Sequence, residues 1–282
     1  MKITLGTVQF GLNYGISNKN GIPLDAELRS IFETAKKFGI KYLDTAKAYG
    51  NAEKRIGELS NNEFQIISKF PNISSVGELR TVFLETLYNL KAKSIYGYLA
   101  HNADVLINNP ELWNVLLELK KEGKINKIGY SLYQPEQLDK LIKLNLIPDL
   151  VQLPYSILDR KFETKFELLR SLGTEIHVRS VFLQGLYFMN PDELPEKLKS
   201  FQPILNEFQK YCQEEKVSAS EVALNFAILN KNIDQVVLGV ENAEQLQENI
   251  NLVLSWKSNS SLFSKIETIE IKDKSLLNPV NW

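Results

Sequence analysis

The stretch LDTAKAYGNAEKRIGEL, residues 43–59, decides how the chain is read. Asp44 closes a short apolar run that includes Ile40, Tyr42 and Leu43. Tyr49 comes five residues later in a loop. Gly50 and Asn51 then open a predicted helix, with Glu53 in its first turn, where a negative charge suits the helix dipole. A carboxylate and a phenol are thus placed together where the C-terminal end of a strand hands over to a helix.

Working outward, the same alternation runs through the chain. Strands are predicted at 3–8, 40–44, 64–68, 95–99, 125–130, 150–153, 175–178 and 235–238, and each is followed by a stretch with helical spacing. The first of those helices covers 25–38, with Leu28, Ile31, Phe32 and Ala35 on one face. An insertion at 181–196 and helices near 197–215 and 219–229 precede the last strand, and the tail 253–282 reads as polar and loop-like. Eight strand–helix repeats without a Ser- or Pro-rich linker predict an α/β protein whose residues 1–282 form a single domain, a (β/α)8 TIM barrel. Its active site is expected at the C-terminal ends of the strands. A doubly wound sheet is the alternative, but no G-x-G-x-x-G comes after the first strand.

Composition excludes several classes of function. With a formal net charge of -1 over 282 residues, the chain has no electrostatic footprint for nucleic acid or an anionic membrane. One cysteine, Cys212, rules out an intrachain disulfide and a Cys-based metal cluster. The opening MKITLGTVQFG lacks a signal-peptide core and no run is long enough to span a bilayer, so a cytoplasmic setting is expected.

Asp44, Tyr49, Lys69 and His101 fall near the ends of strands two, three and four. Singly, each has an ordinary explanation: a turn residue, a packing aromatic, a solvated charge, one of two histidines (the other, His177, lies inside strand seven and reads as structural). As a set at equivalent strand ends they suit proton transfer to an oxygen. An ammonium near Tyr49 should make its phenol more acidic, and Asp44 should hold Lys69 by a charge-assisted hydrogen bond. His101 would orient a carbonyl. No nucleophile stands beside a base, and Asp44 with His101 is too small a set for a metal.

These residues carry a resemblance. LGTVQFG, the run LDTAKAYGNAEKRIGEL, ISKF and YLAHNAD resemble the opening strand, the D-T-A-x-x-Y-G-x-x-E signature, and the lysine and histidine segments of the aldo-keto reductases. IGYSLYQPEQL, VQLPYSILDR, SVFLQGLYF and LGVENAEQLQEN resemble that family's later cofactor-facing segments. The resemblance implies an oxidoreductase that reduces an aldehyde or ketone with a nicotinamide cofactor, Tyr49 donating the proton. It places Gly6 and Thr7 near the nicotinamide, and Ser131 and Gln152 on its carboxamide. Ser180, Leu183, Gln184 and Gly185 fall to the pyrophosphate. Gly239, Asn242, Gln245, Glu248 and Asn249 fall to the adenosine half.

Four departures from the family pattern stand out. Leu132 replaces a frequent asparagine. Arg179 stands where many members stack an aromatic on the nicotinamide, a role a guanidinium plane can also fill. GVENAEQLQEN lacks the basic residues that clasp a 2'-phosphate, so NADH is kept open beside the family default, NADPH. The N-terminal hairpin that covers the barrel floor is not expected, because Met1 sits almost at strand one. The substrate pocket is expected from Phe10, Asn13, Tyr14, Asn102, Phe182, Tyr187, Phe188 and Trp282, a mix that suits a small carbonyl or a keto-sugar. The competing reading is a regulatory or scaffold protein that binds the cofactor without turnover.

Overall fold

Period-two alternation of apolar residues builds eight short parallel strands, and they close on themselves. In the computed structural model, which describes residues 1–15, 18, 20–257, 260–269, 271, 273 and 277, the order is β1-β2-β3-β4-β5-β6-β7-β8 with β1 returning to β8. The strands are β1 (Ile3–Gly6), β2 (Tyr42–Asp44), β3 (Gln65–Phe70), β4 (Ile95–Ala100), β5 (Ile125–Ser131), β6 (Leu150–Pro154), β7 (Glu175–Arg179) and β8 (Gln235–Gly239). Closure pairs Ile3 with Val236 and Gly6 with Gly239. The helices are α1 (Asp25–Lys37), α2 (Ala52–Leu59), α3 (Val76–Asn89), α4 (Asp104–Asn108), α5 (Leu112–Lys121), α6 (Pro135–Lys143), α7 (Glu163–Ser171), α8 (Gln202–Glu214), α9 (Ala219–Leu229), α10 (Ala243–Leu254) and α11 (Ser260–Glu267). This is the (β/α)8 barrel that the sequence predicts. No helix among the described residues is long and apolar enough to cross a membrane.

Three expectations shift. The first strand stops at Gly6, and Val8–Phe10 turns as a 3-10 helix towards the loop above it. The segment after β4 contains α4 rather than loop alone. The tail is not wholly irregular: in α11, Leu262 and Ile266 are buried and Lys265 pairs with Glu215 of the α8–α9 connection at 2.9 Å. That i, i+4 apolar pair was hidden among serines and charges.

The barrel interior is layered. Alternate residues of a strand point the same way, so Tyr42 and Asp44, Ile67 and Lys69, Leu99 and His101, Leu150 and Gln152, and His177 and Arg179 form inward columns. Ile67, Leu99 and Leu150 pack together with Tyr42 and Tyr96 as an apolar layer. Tyr42 meets His177 from the opposite wall, with ring centroids 6.1 Å apart. Nearer the N-terminal end, Tyr96 donates its hydroxyl to Glu175 at 2.7 Å.

His177 is 1% exposed, and its Nδ1 is buried with no hydrogen-bond partner among the described residues. Burial pushes its pKa down to about 3. An unfolded histidine takes up a proton near pH 6.5, whereas His177 in the fold does not until about pH 3. Its contribution is therefore present above pH 6.5 and is lost as pH falls towards 3. The unfolding temperature should fall between pH 7 and pH 4, and His177→Phe should show a shallower slope over that window. Equal slopes by calorimetry would exclude His177 as a source.

Candidate functional site

At the C-terminal ends of the strands the inward columns turn polar. Lys69 is fully buried, and its ammonium donates to Asp44 Oδ2 at 2.7 Å and to the Thr45 carbonyl at 3.0 Å. The second oxygen of Asp44 accepts from Gln152 Nε2 at 2.7 Å. The Thr7 hydroxyl and amide both reach the Asp44 carbonyl at 3.0 Å, tying β1 to β2. Glu53, 3% exposed, accepts from Ser68 Oγ at 2.7 Å and so links α2 to the strand that carries Lys69.

Tyr49 is half-buried above this group. Its ring lies 5.3 Å from the Lys69 ammonium and meets the His101 ring edge-on at 5.5 Å. The four residues singled out in the sequence are thus gathered at one place. The expected acidification of the phenol is not found. Burial raises the Tyr49 pKa first, the Asp44 charge raises it further, and Arg179 lowers it only in part. Burial is the main reason, and the ammonium that should acidify the phenol is engaged by the Asp44 carboxylate. Burial, with Lys69 and Arg179 adding in the same direction, lowers the His101 pKa to about 3, so its imidazole is neutral at ordinary pH.

From this group a cleft of about 970 Å³ runs outward over β8 and α10, within the range of small-molecule and cofactor sites. Asp44, Tyr49, His101, Gly6, Thr7, Ser131, Gln152, Arg179, Ser180, Gln184, Gly185, Gly239, Gln245, Glu248 and Asn249 line it. Lys69 lies directly behind Asp44. Leu183 and Asn242 do not line the cleft: Leu183 is fully buried, and the Asn242 side chain caps α10 by accepting from the Gln245 amide at 2.7 Å. Of the residues expected around a substrate, Tyr14, Phe182 and Phe188 face the cleft. Phe10 and Tyr187 are fully buried in the core, and Asn13 and Asn102 lie away from the lining. Trp282 lies outside the described residues.

Some lining residues were not anticipated. Tyr133 stands two positions after Ser131, on the same parity. Leu252 continues the α10 face of Gln245, Glu248 and Asn249 at helical spacing. Gln9, Ser220 and Asn251 have no such signal.

Two features suit a long polar ligand. The amide oxygen of Gln9 is buried over the bare backbone of Gly239 and has no hydrogen-bond partner among the described residues. Ser180, Leu183 and Gln184 hold positive φ values of 65°, 44° and 54°, a strained turn of the kind that gathers at binding sites. Among the described residues no group of three or more His, Cys, Asp or Glu is placed to hold a metal ion.

Comparison with known proteins identifies the family. Residues 2–271 match the model of the Aldo/keto reductase family. The chain belongs to that family. An uncharacterized oxidoreductase of Bacillus subtilis is 26% identical over 246 residues, covering 78% of this chain and 80% of the relative. The L-glyceraldehyde 3-phosphate reductase of Escherichia coli K12 is 24% identical, covering 90% and 87%. The NADH-specific methylglyoxal reductase of that organism is 25% identical, covering 77% and 79%. The holo form of an aldo-keto reductase from Bacillus halodurans shares the fold with a TM-score of 0.79 at 20% identity, over 96% of this chain and 93% of that one. Membership and the reductase-named relatives support an oxidoreductase acting on carbonyl compounds.

The Tyr49 loop is set by a backbone contact. A Cβ on Gly11 would lie 1.9 Å from the Tyr49 carbonyl oxygen and 2.7 Å from the Ala52 nitrogen. Gly11→Ala must push the two loops apart and displace the phenol. A 1 Å displacement of a reacting group can lower a rate by roughly 10²-fold. Turnover should therefore drop on that scale while circular dichroism retains the barrel signal; unchanged kinetics would show that the loop position does not set the phenol.

Proposed function

We propose that this aldo/keto reductase reduces a small aldehyde or ketone to an alcohol, with a nicotinamide dinucleotide bound along the cleft and Tyr49 as the proton donor. The observation that carries this is the convergence of Tyr49, His101 and the Asp44–Lys69 pair at the inner end of a cleft of about 970 Å³, a volume that suits such a cofactor. The bound cofactor would supply the hydride. The chain supplies position and polarity.

A raised pKa keeps the phenol protonated at neutral pH, as a donor must be. When the proton passes to the carbonyl oxygen, negative charge appears on Tyr49 beside Lys69 and within the field of Arg179. His101, neutral, can orient the carbonyl through an N–H donor without competing as an acid. Ser131 and the amide oxygen of Gln152 remain for the carboxamide, since the Gln152 nitrogen is engaged with Asp44. Tyr14, Tyr133, Phe182 and Phe188 give the mouth an aromatic rim suited to a small carbonyl or sugar-like substrate.

The outer end favours NADH. Glu241 and Glu248 line it, and among the described lining residues it offers no Lys or Arg. Two carboxylates would repel a 2'-phosphate. The NADH-specific relative is consistent with this choice.

Fluorescence titration of the purified protein should give tighter binding of NADH than of NADPH by about tenfold, a modest electrostatic difference. Tighter NADPH binding would reverse the cofactor assignment. Tyr49→Phe should lower turnover by roughly 10²–10⁴-fold, as loss of a general acid does, with NADH affinity kept. If a broad panel of aldehydes, ketones and keto-sugars is not reduced with either cofactor, a binding protein without turnover replaces the enzyme.

A further inference from the structure

The inner end of the cleft carries one charge that forms no ion pair among the described residues. Asp44 and Lys69 pair with each other at 2.7 Å. His101 is neutral and the Tyr49 phenol is protonated. Asp159, on the loop after β6, feels the Arg179 charge but is paired with Lys161 at 3.1 Å. Arg179 remains. Its Nη1 donates to Ser180 Oγ at 3.3 Å and its Nη2 to the Leu132 carbonyl at 3.1 Å, both neutral acceptors. Its guanidinium carbon lies 4.4 Å from the centre of the Tyr133 ring. It is the one Lys or Arg among the described residues that line the cleft. The stack and two hydrogen bonds hold the cation at the end where the hydride must be delivered, beside Tyr49 and His101.

We propose that Arg179 selects the redox form of the cofactor, admitting the neutral dihydronicotinamide and repelling the pyridinium cation of the oxidised form. This rests on the reductase reading. The two forms differ by one positive charge at the ring and are alike elsewhere. A fixed cation at the ring end therefore weakens one and spares the other, and partial burial limits screening. The cleft then draws NADH from a pool richer in NAD⁺ and releases NAD⁺ once the hydride has left. The remaining carboxylates of the cleft, Glu241 and Glu248, lie at its other end and face both forms alike.

The test is a set of dissociation constants for the full chain, measured by calorimetry with NADH, NAD⁺ and ADP. Unmodified protein should hold NADH about tenfold more tightly than NAD⁺, a size expected for one partly screened charge. Arg179→Gln should bring the ratio near one, chiefly by tightening NAD⁺, while Arg179→Lys keeps most of it and ADP is unaffected by either. Loss of packing alone would weaken both dinucleotides together and leave the ratio unchanged, which would overturn the proposal. Should Arg179→Gln fail to fold, unmodified protein can be titrated with NAD⁺ and with a dinucleotide bearing neutral benzamide in place of the pyridinium. Tighter binding of the neutral ring supports the proposal; equal binding overturns it. If both redox forms bind equally, only the role of Arg179 falls and the reductase reading stands. If no dinucleotide and no ADP binds, both fall.

Discussion

The buried Asp44–Lys69 pair is the constraint on which the site depends. Both side chains are out of water, and the desolvation this costs is offset only if every remaining donor and acceptor finds a partner. The fold supplies most of these partners: Thr45 takes a second ammonium proton, Gln152 donates to the other carboxylate oxygen, and Thr7 holds the Asp44 backbone. These partners come from β6, the loop after β2 and the residue after β1, so the pair depends on a closed barrel of this register. Leaving either charge alone would cost roughly 3–5 kcal/mol. The pair therefore reports on the integrity of the whole sheet as much as on local chemistry. With Lys69 engaged by Asp44, the Tyr49 phenol is governed by burial first, then by the Asp44 charge, with Arg179 opposing both in part.

Charge is distributed unevenly along the cleft. Its inner end is positive through Arg179, its outer end negative through Glu241 and Glu248. Between them lie uncharged groups: Ser180, Gln184, Gly239 and the Gln9 amide. The connection between β1 and α1 is fastened at its base by Arg55, whose Nη1 and Nη2 each donate to backbone carbonyls, Phe10 and Pro23, at 2.6 Å. Further along, Asn20 donates to Glu241 at 3.2 Å and Gln184 to the Tyr14 hydroxyl at 3.2 Å, so this loop spans the cleft in both directions. Gly11 and the positive-φ Gly50 let the same loop touch the backbone around Tyr49. One connection thus links Tyr49, the mouth and the far end of the cleft.

Much of this was legible in the sequence because strand ends are marked twice, by the point where the apolar alternation stops and by the polar residue that succeeds it. Asp44, Lys69 and His101 could be placed on one rim from that signal alone, whereas Gln152 and Arg179 are assigned to the site through the family resemblance. The sign of the shift at Tyr49 could not be read this way, since it depends first on how deeply the fold buries the phenol and then on its distance from the Asp44 charge. Gln9 and Ser220 reach the cleft through the path of a turn, which leaves no period to read. Phe10 and Tyr187, read as pocket residues, are core residues because their short 3-10 turns fold them inward. Leu262 and Ile266 are too few to announce a helix in a polar tail.

In the layered interior, Asp44, Lys69, His101, Gln152 and Arg179 each stand two positions beyond the inward residue below it. Gaining or losing a single amino acid inside β2, β3, β4, β6 or β7 would turn that column outward, sending an ionisable group towards the helices and an aliphatic one into the reaction chamber. Evolution of this protein towards other substrates is therefore confined to exchanging side chains on the rim or changing the length of the connections above it. The strands themselves are fixed in length by parity.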